Sequence, residues 1–173
     1  MKHPDYQRTR ETALDMQAAG RPAREILGYL VAQAEAASSG NSTCSVLIVD
    51  REGLLRNGAS PGLPSDYLAA IDRLKPDPAV GTCASAAATG KPVVTPDFLT
   101  DANWKELKHL PLALGFVAAW SQPILGSDGR VLGTFGTYYR TRRGPGPDER
   151  SRVEALAAIA GSVIEATLNP ALA

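Results

Sequence analysis

Apolar positions along the first third of the chain follow two different periods. Ile26, Leu27, Leu30, Val31 and Ala34 recur at helical spacing and form one stripe. Ahead of them, "MKHPDYQRTRETALDMQ" reads as a first helix, with Pro4 and Asp5 suited to its opening turn and "GRP" at Gly20 to Pro22 as the break between the two. After "SSGNS" the pattern becomes extended. "TCSVLIVDREGLLRNGAS" holds two β-rich runs joined at Asp50 to Gly53, which predicts an antiparallel hairpin. Its first run, Cys44 to Val49, is apolar almost throughout, as a central strand covered on both faces would be. "PGLPSDYLAAIDRL" predicts a loop and then a helix capped by Ser65, with Tyr67, Leu68, Ile71 and Leu74 on one side.

"PAVGTCASAAATGKPVV" is different, because it tightens at Gly81, predicts a short helix of small residues and breaks at Gly90 and Pro92. "KPVVTPDF" supplies a short strand whose flanking prolines suit a sheet edge. "DANWKELKHLPLALG" reads as helical before Pro111 and ends at Gly115. "FVAAWSQPIL" and "RVLGTFGTYYR" then form two longer strands around Asp128-Gly129, the strongest hairpin signal in the chain. The closing "PDERSRVEALAAIAGSVIEATL" is a long helix, with Pro147 at its first position, Asp148 and Glu149 at the positive end of its dipole, and a stripe of Val153, Leu156, Ala160, Val163, Ile164 and Leu168. Strands joined mainly by hairpins, with helices inserted between them and at both termini, predict an α+β domain. Five to six antiparallel strands would carry the terminal helices on one face and the inserted helices and loops on the other.

Composition narrows the function. At 173 residues the chain fits one domain able to bury its own core. Eighteen basic and eighteen acidic residues cancel, so no global field draws in nucleic acid or an anionic membrane surface. The densest basic cluster, Arg140, Arg142 and Arg143, reads as a solvated loop rather than a nucleic-acid footprint. The charged start lacks the apolar core of a secretion signal, and no apolar run reaches membrane-spanning length. The expected location is therefore cytoplasmic. Cys44 and Cys83 read as free thiols, and neither His3 nor His109 shows a ligand pattern, so no metal is expected.

Catalytic machinery is not visible. A Ser-His-Asp arrangement would have to use His109, which lies among Lys105, Glu106 and Lys108. "GSDG" and "GPGP" are glycine-rich, yet neither sits between a strand and a helix as a phosphate loop does. Binding has more support. "TCASAAATG" predicts a helix start at Thr82 or Cys83, whose first N–H groups lack intrahelical partners and suit an anion or a carbonyl oxygen. The small residues Ala84, Ser85, Ala86 and Ala87 would let a ligand or the sheet approach that backbone, and Tyr67, Trp104, Trp120, Gln122 and Tyr138 are candidates for the remaining wall. The bland alternatives are core packing for both tryptophans and an alanine-like buried role for Cys83. A helix start would instead lower the Cys83 pKa and favour a redox role. Cys44 belongs to the core.

Taken in order, "CSVLIVDREGLLRNGASPGLPSDYLAAIDRL", "VGTCASAAATGKPVVTPDF", "DANW" and "GFVAAWSQPILGSDGRVLGTFGTYY" resemble the GAF domains of bacterial signalling proteins, over about Thr43 to Tyr139. The resemblance implies a ligand pocket between a central antiparallel sheet and overlying helices. It also implies dimerisation through terminal helices and a sensory role coupled to a kinase, a cyclase or a transcription factor. On that pattern residues 1–40 and 146–173 are dimerisation and output helices, and 41–145 is the core. Free methionine sulfoxide reductases carry a similar "GVCGTAA" where this chain has "GTCASAA", which places Cys83 at a matching position. They also need a later reactive cysteine, and the region from Trp104 to Gly115 has none. The chromophore-attachment pattern of bilin-binding members is absent around His109, as is the Asn-Lys-Phe-Asp-Glu signature of cyclic-nucleotide binders. Members that bind nitrate use backbone amides at a helix start, so a small anion is one expectation and a small organic ligand another. An interaction module with a vestigial pocket and a thiol redox enzyme remain as alternatives. The chain ends at "NPALA" with no effector domain, which fits a complete single-domain protein or an excised piece.

Overall fold

The computed structural model describes residues 4–168; His3 and the "NPALA" segment lie outside the described residues. The elements follow the order α1 (Pro4–Ala18), α2 (Ala23–Ala37), β1 (Ser42–Val49), β2 (Leu55–Ala59), α3 (Ser65–Ile71), α4 (Cys83–Thr89), β3 (Val93–Thr95), a 3-10 turn (Ala102–Trp104), α5 (His109–Ala113), β4 (Ala118–Leu125), β5 (Val131–Tyr139) and α6 (Pro147–Leu168). The five strands form one antiparallel sheet in the order β2-β1-β5-β4-β3. The proline-flanked β3 is an edge, and the apolar β1 lies inside the sheet, both as expected from sequence.

Alternation along the strands builds two layers. Cys44 and Val46 of β1, Trp120 and Ile124 of β4, and Phe135 and Tyr139 of β5 pack with Leu27, Leu30 and Val31 of α2 and Val153, Leu156, Ala160, Val163 and Ile164 of α6. The terminal helices thus share one face of the sheet. On the other face Tyr67, Phe98, Trp104, Phe116, Ala119 and Tyr138 form a second cluster, and Leu47, Leu55, Cys83 and Ala84 a third.

Three local details differ from the sequence reading. Ser65 does not cap α3; Pro64 precedes the helix, and the Asp66 carboxylate accepts the Tyr67 N–H at 2.9 Å instead. Leu74 lies beyond α3, because Arg73 turns to φ +63° and Leu74 bridges Leu55 as an extension of the sheet edge. Pro111 lies inside α5 rather than after a helix, at a first-turn position where a backbone N–H would have no helical partner to lose.

Candidate functional site

Small residues floor the sheet beneath α4. Ser45 on β1, Gly136 on β5 and Ser121 on β4 stand in one register row. The Cys83 thiol meets Ser121 Oγ at 3.0 Å, and Ser121 donates to Thr82 Oγ1 at 3.0 Å. A Cβ on Gly136 would stand 3.1 Å from Cys83 Sγ, so the missing side chain lets α4 settle on the sheet. Ala84 and Ala86 are fully buried in that contact. Much of the small-residue character of "TCASAAATG" is therefore a packing requirement. Ser85 is buried and donates to the Pro78 carbonyl at 3.0 Å, outside the lining of the cavity beside the helix. With seven residues, α4 has little macrodipole to offer an anion.

Beside α4 the layers part around a cavity of about 20 Å³, room for roughly one water. Tyr67, Thr82, Cys83, Ala84, Trp104 and Tyr138, all predicted site residues, line it together. Leu47, Ile71, Leu74, Leu107 and Leu110, which sequence reasoning did not single out as site residues, complete an apolar wall. Ile71 and Leu74 were legible only as part of the stripe that also holds Tyr67. No lysine, arginine, histidine, aspartate or glutamate lines the cavity.

Two buried phenols join the Thr82 hydroxyl and the Cys83 thiol as its polar groups. Tyr67 and Tyr138 are each 5% exposed, their hydroxyls are 2.8 Å apart, and their rings meet edge to face at 6.1 Å. Burial raises the pKa of both hydroxyls, which keeps them protonated and neutral. Burial also raises the Cys83 pKa, outweighing the hydroxyls around the thiol. Thr134 Oγ1 faces that thiol without completing a hydrogen bond of good geometry. The helix start therefore does not activate Cys83, because its sulfur points into the sheet rather than toward solvent.

A set of hydrogen bonds, the Trp104 latch, fastens one side of the cavity. The Gly81 N–H donates to the Asn103 carbonyl at 2.8 Å, and Asn103 Nδ2 donates to the Pro78 carbonyl at 3.3 Å. Trp104 Nε1 donates to Thr95 Oγ1 at 3.1 Å, and Thr95 donates to Asp101 at 2.6 Å. Gly81 adopts φ +56° over the Trp104 ring, a conformation that disfavours any side chain there.

Two predicted wall residues lie elsewhere. Trp120 faces the terminal-helix layer, its Nε1 directed toward the Tyr139 hydroxyl without a hydrogen bond of good geometry. Gln122, two positions along β4 and paired with Phe135, falls on that same face. The reason is strand alternation: Ala119 and Ser121, not Trp120, share the cavity's side of the sheet.

A second, open groove of about 330 Å³ lies at the end of β5, between Gly40 to Thr43 and Phe116, Arg140 and Arg143. Its arginines have local partners. Arg140 lies 4.6 Å over the Phe116 ring and donates to the Leu114 carbonyl, and Arg143 lies 4.4 Å over the Tyr139 ring and pairs with Glu149 at 2.9 Å. Arg142 pairs with Asp97 at 3.3 Å. The groove and the inner cavity share Tyr138, whose ring stacks on Phe116 at 5.3 Å. Among the described residues no group of three or more His, Cys, Asp or Glu side chains is placed to hold a metal ion, and no helix is long and apolar enough to cross a membrane.

Comparison with known proteins agrees with this architecture. A methyl sulfide methyltransferase-associated sensor of Methanosarcina acetivorans is 35% identical over 153 residues, which are 88% of this chain and 15% of that much longer relative. The GAF domain of a phosphoenolpyruvate-protein phosphotransferase from Coxiella burnetii superposes with a TM-score of 0.73 at 19% identity, covering 96% of each chain. A free methionine-R-sulfoxide reductase from Neisseria meningitidis, solved with its substrate, also reaches 0.73 at 19% identity, covering 95% of this chain and 89% of that one. The family model for the GAF domain matches residues 20–165, and the chain belongs to that family.

Proposed function

We propose that the chain is a non-catalytic, cytoplasmic GAF sensor domain of bacterial signal transduction, and that a small molecule binds in the cavity between the sheet and the Tyr67, Thr82 to Ala84 and Trp104 elements. The observation that carries this reading is a cavity with two buried phenol hydroxyls and no charged group in its mostly apolar wall. Ligand entry exchanges contacts of the Trp104 latch for contacts with the ligand. The terminal segments, 1–40 and 146–173, are the dimerisation and output elements, passing the change to a kinase, a cyclase or a transcription factor. The sensor relative supports a sensory role, and the burial of Cys83 supports a non-catalytic one. Cys44 packs on the opposite face of the sheet, so the two thiols cannot form a disulfide within the folded domain.

The small volume of the cavity favours one competing reading, an interaction module whose pocket is filled by its own side chains. Thermal-shift screening against oxo acids, nucleotides, nitrate and neutral organic compounds separates the two. A ligand at a hundred times its Kd adds roughly 2.7 kcal/mol, or about 5–10 °C in a domain of this size. Silence across the panel favours the module.

A further inference from the structure

We infer that the ligand of this cavity is an uncharged molecule that presents a hydrogen-bond acceptor, such as a carbonyl oxygen, to the Tyr67–Tyr138 hydroxyl pair. The inference rests on the cavity being the ligand site. Two phenols carry two O–H protons, and the 2.8 Å bond between them uses one. The other has no acceptor among the described residues, and at 5% exposure neither ring leaves it to bulk water. A buried donor without an acceptor carries the desolvation cost of an unmade bond, which an acceptor on a ligand removes.

The rest of the wall decides the charge. Leu47, Ile71, Leu74, Leu107 and Leu110 are apolar, and the Thr82 hydroxyl, which accepts from Ser121, carries no charge. A carboxylate or phosphate here would lose its hydration with no cationic side chain to replace it. A neutral acceptor keeps the apolar contacts and satisfies the spare proton.

The test uses the full chain, labelled with 13C in isoleucine and leucine methyls and titrated with cyclohexanone, methylenecyclohexane or sodium nitrate. Cyclohexanone is expected to shift the Ile71 and Leu107 methyls with a Kd about five-fold lower than that of its alkene counterpart, the worth of one net hydrogen bond. Nitrate is expected to leave those methyls unmoved. Tyr67→Phe and Tyr138→Phe each retain one hydroxyl and one donor, so each single variant keeps the preference. The double variant binds ketone and alkene alike while retaining its circular dichroism and cooperative unfolding; if it fails to fold, the wild-type ratio decides. Equal affinities in the wild type, a preference surviving in the folded double variant, or displacement of cyclohexanone by nitrate would each overturn the inference and leave the cavity as a ligand site. No methyl shift with any probe removes both.

Discussion

Gly136 and Cys83 are a matched pair, because the absence of one side chain makes room for the sulfur of the other. Gly136→Ala puts a methyl 3.1 Å from Cys83 Sγ in a contact closed by the sheet. The expected cost is roughly 1–3 kcal/mol in urea unfolding. Adding Cys83→Ala should recover at least half of that cost, and no recovery would show that the strain lies elsewhere. Cys44 gives a pH prediction. Its thiol is buried between the sheet and the terminal helices, which pushes its pKa from 9.0 up to about 12. Unfolded chain releases that proton above pH 9 while folded chain holds it, so stability is complete below pH 9 and falls as pH rises toward 12. Cys44 alone should remove roughly 1 kcal/mol by pH 10, and Cys83 and the buried tyrosines add in the same direction. Urea titrations at pH 7, 9 and 10 measure the slope, and Cys44→Ala should flatten it. Sequence pointed to both cysteines but not to the orientation of Cys83, which depends on Gly136 and Ser121, 53 and 38 positions later in the chain.

Among the elements, β3 and the 3-10 turn form the latch. Thr95 accepts the Trp104 indole N–H and donates to Asp101, whose other carboxylate oxygen accepts the Asn103 N–H at 2.9 Å. Thr95→Val keeps the shape and leaves the indole N–H orphaned, at a cost of about 1–3 kcal/mol. Hydrogen exchange at Trp104 Nε1 should quicken while Trp120, on the opposite face, keeps its rate; equal acceleration at both would indicate general loosening instead. Element order was legible because each run carries its own period and its own breaks. The side of β4 that faces the cavity was not. "FVAAWSQPIL" is covered on both faces, so its apolar character gives no direction, and long-range pairing with β5 sends Trp120 and Gln122 toward α2 and α6. That Tyr67, Trp104 and Tyr138 line the cavity was legible because large amphipathic side chains stand out in a chain with few aromatics, whereas Leu107 and Leu110 look like any helical leucines.

At the scale of the whole molecule, one sheet separates a terminal-helix layer from a cavity-bearing layer, and the two should respond differently. Ile164→Ala in α6 is expected to cost about 2–5 kcal/mol by opening a void against the sheet. It should leave the affinity of any cavity ligand within a factor of two, which calorimetry on a hit from the thermal-shift panel can check. Dimerisation through the terminal helices predicts a light-scattering mass of twice the chain at high micromolar concentration, and a strict monomer there would remove that proposal. The central claim is that ligand enters between the sheet and the inserted helices. It is tested most directly by the 13C-methyl spectrum of the full chain with a hit from that panel. The predicted result is a saturable shift of Leu47, Ile71, Leu74, Leu107 and Leu110, with Leu27, Leu30 and Leu156 of the terminal layer moving less. Shifts confined to the terminal layer or the Arg140 groove, or none from any compound, would contradict it.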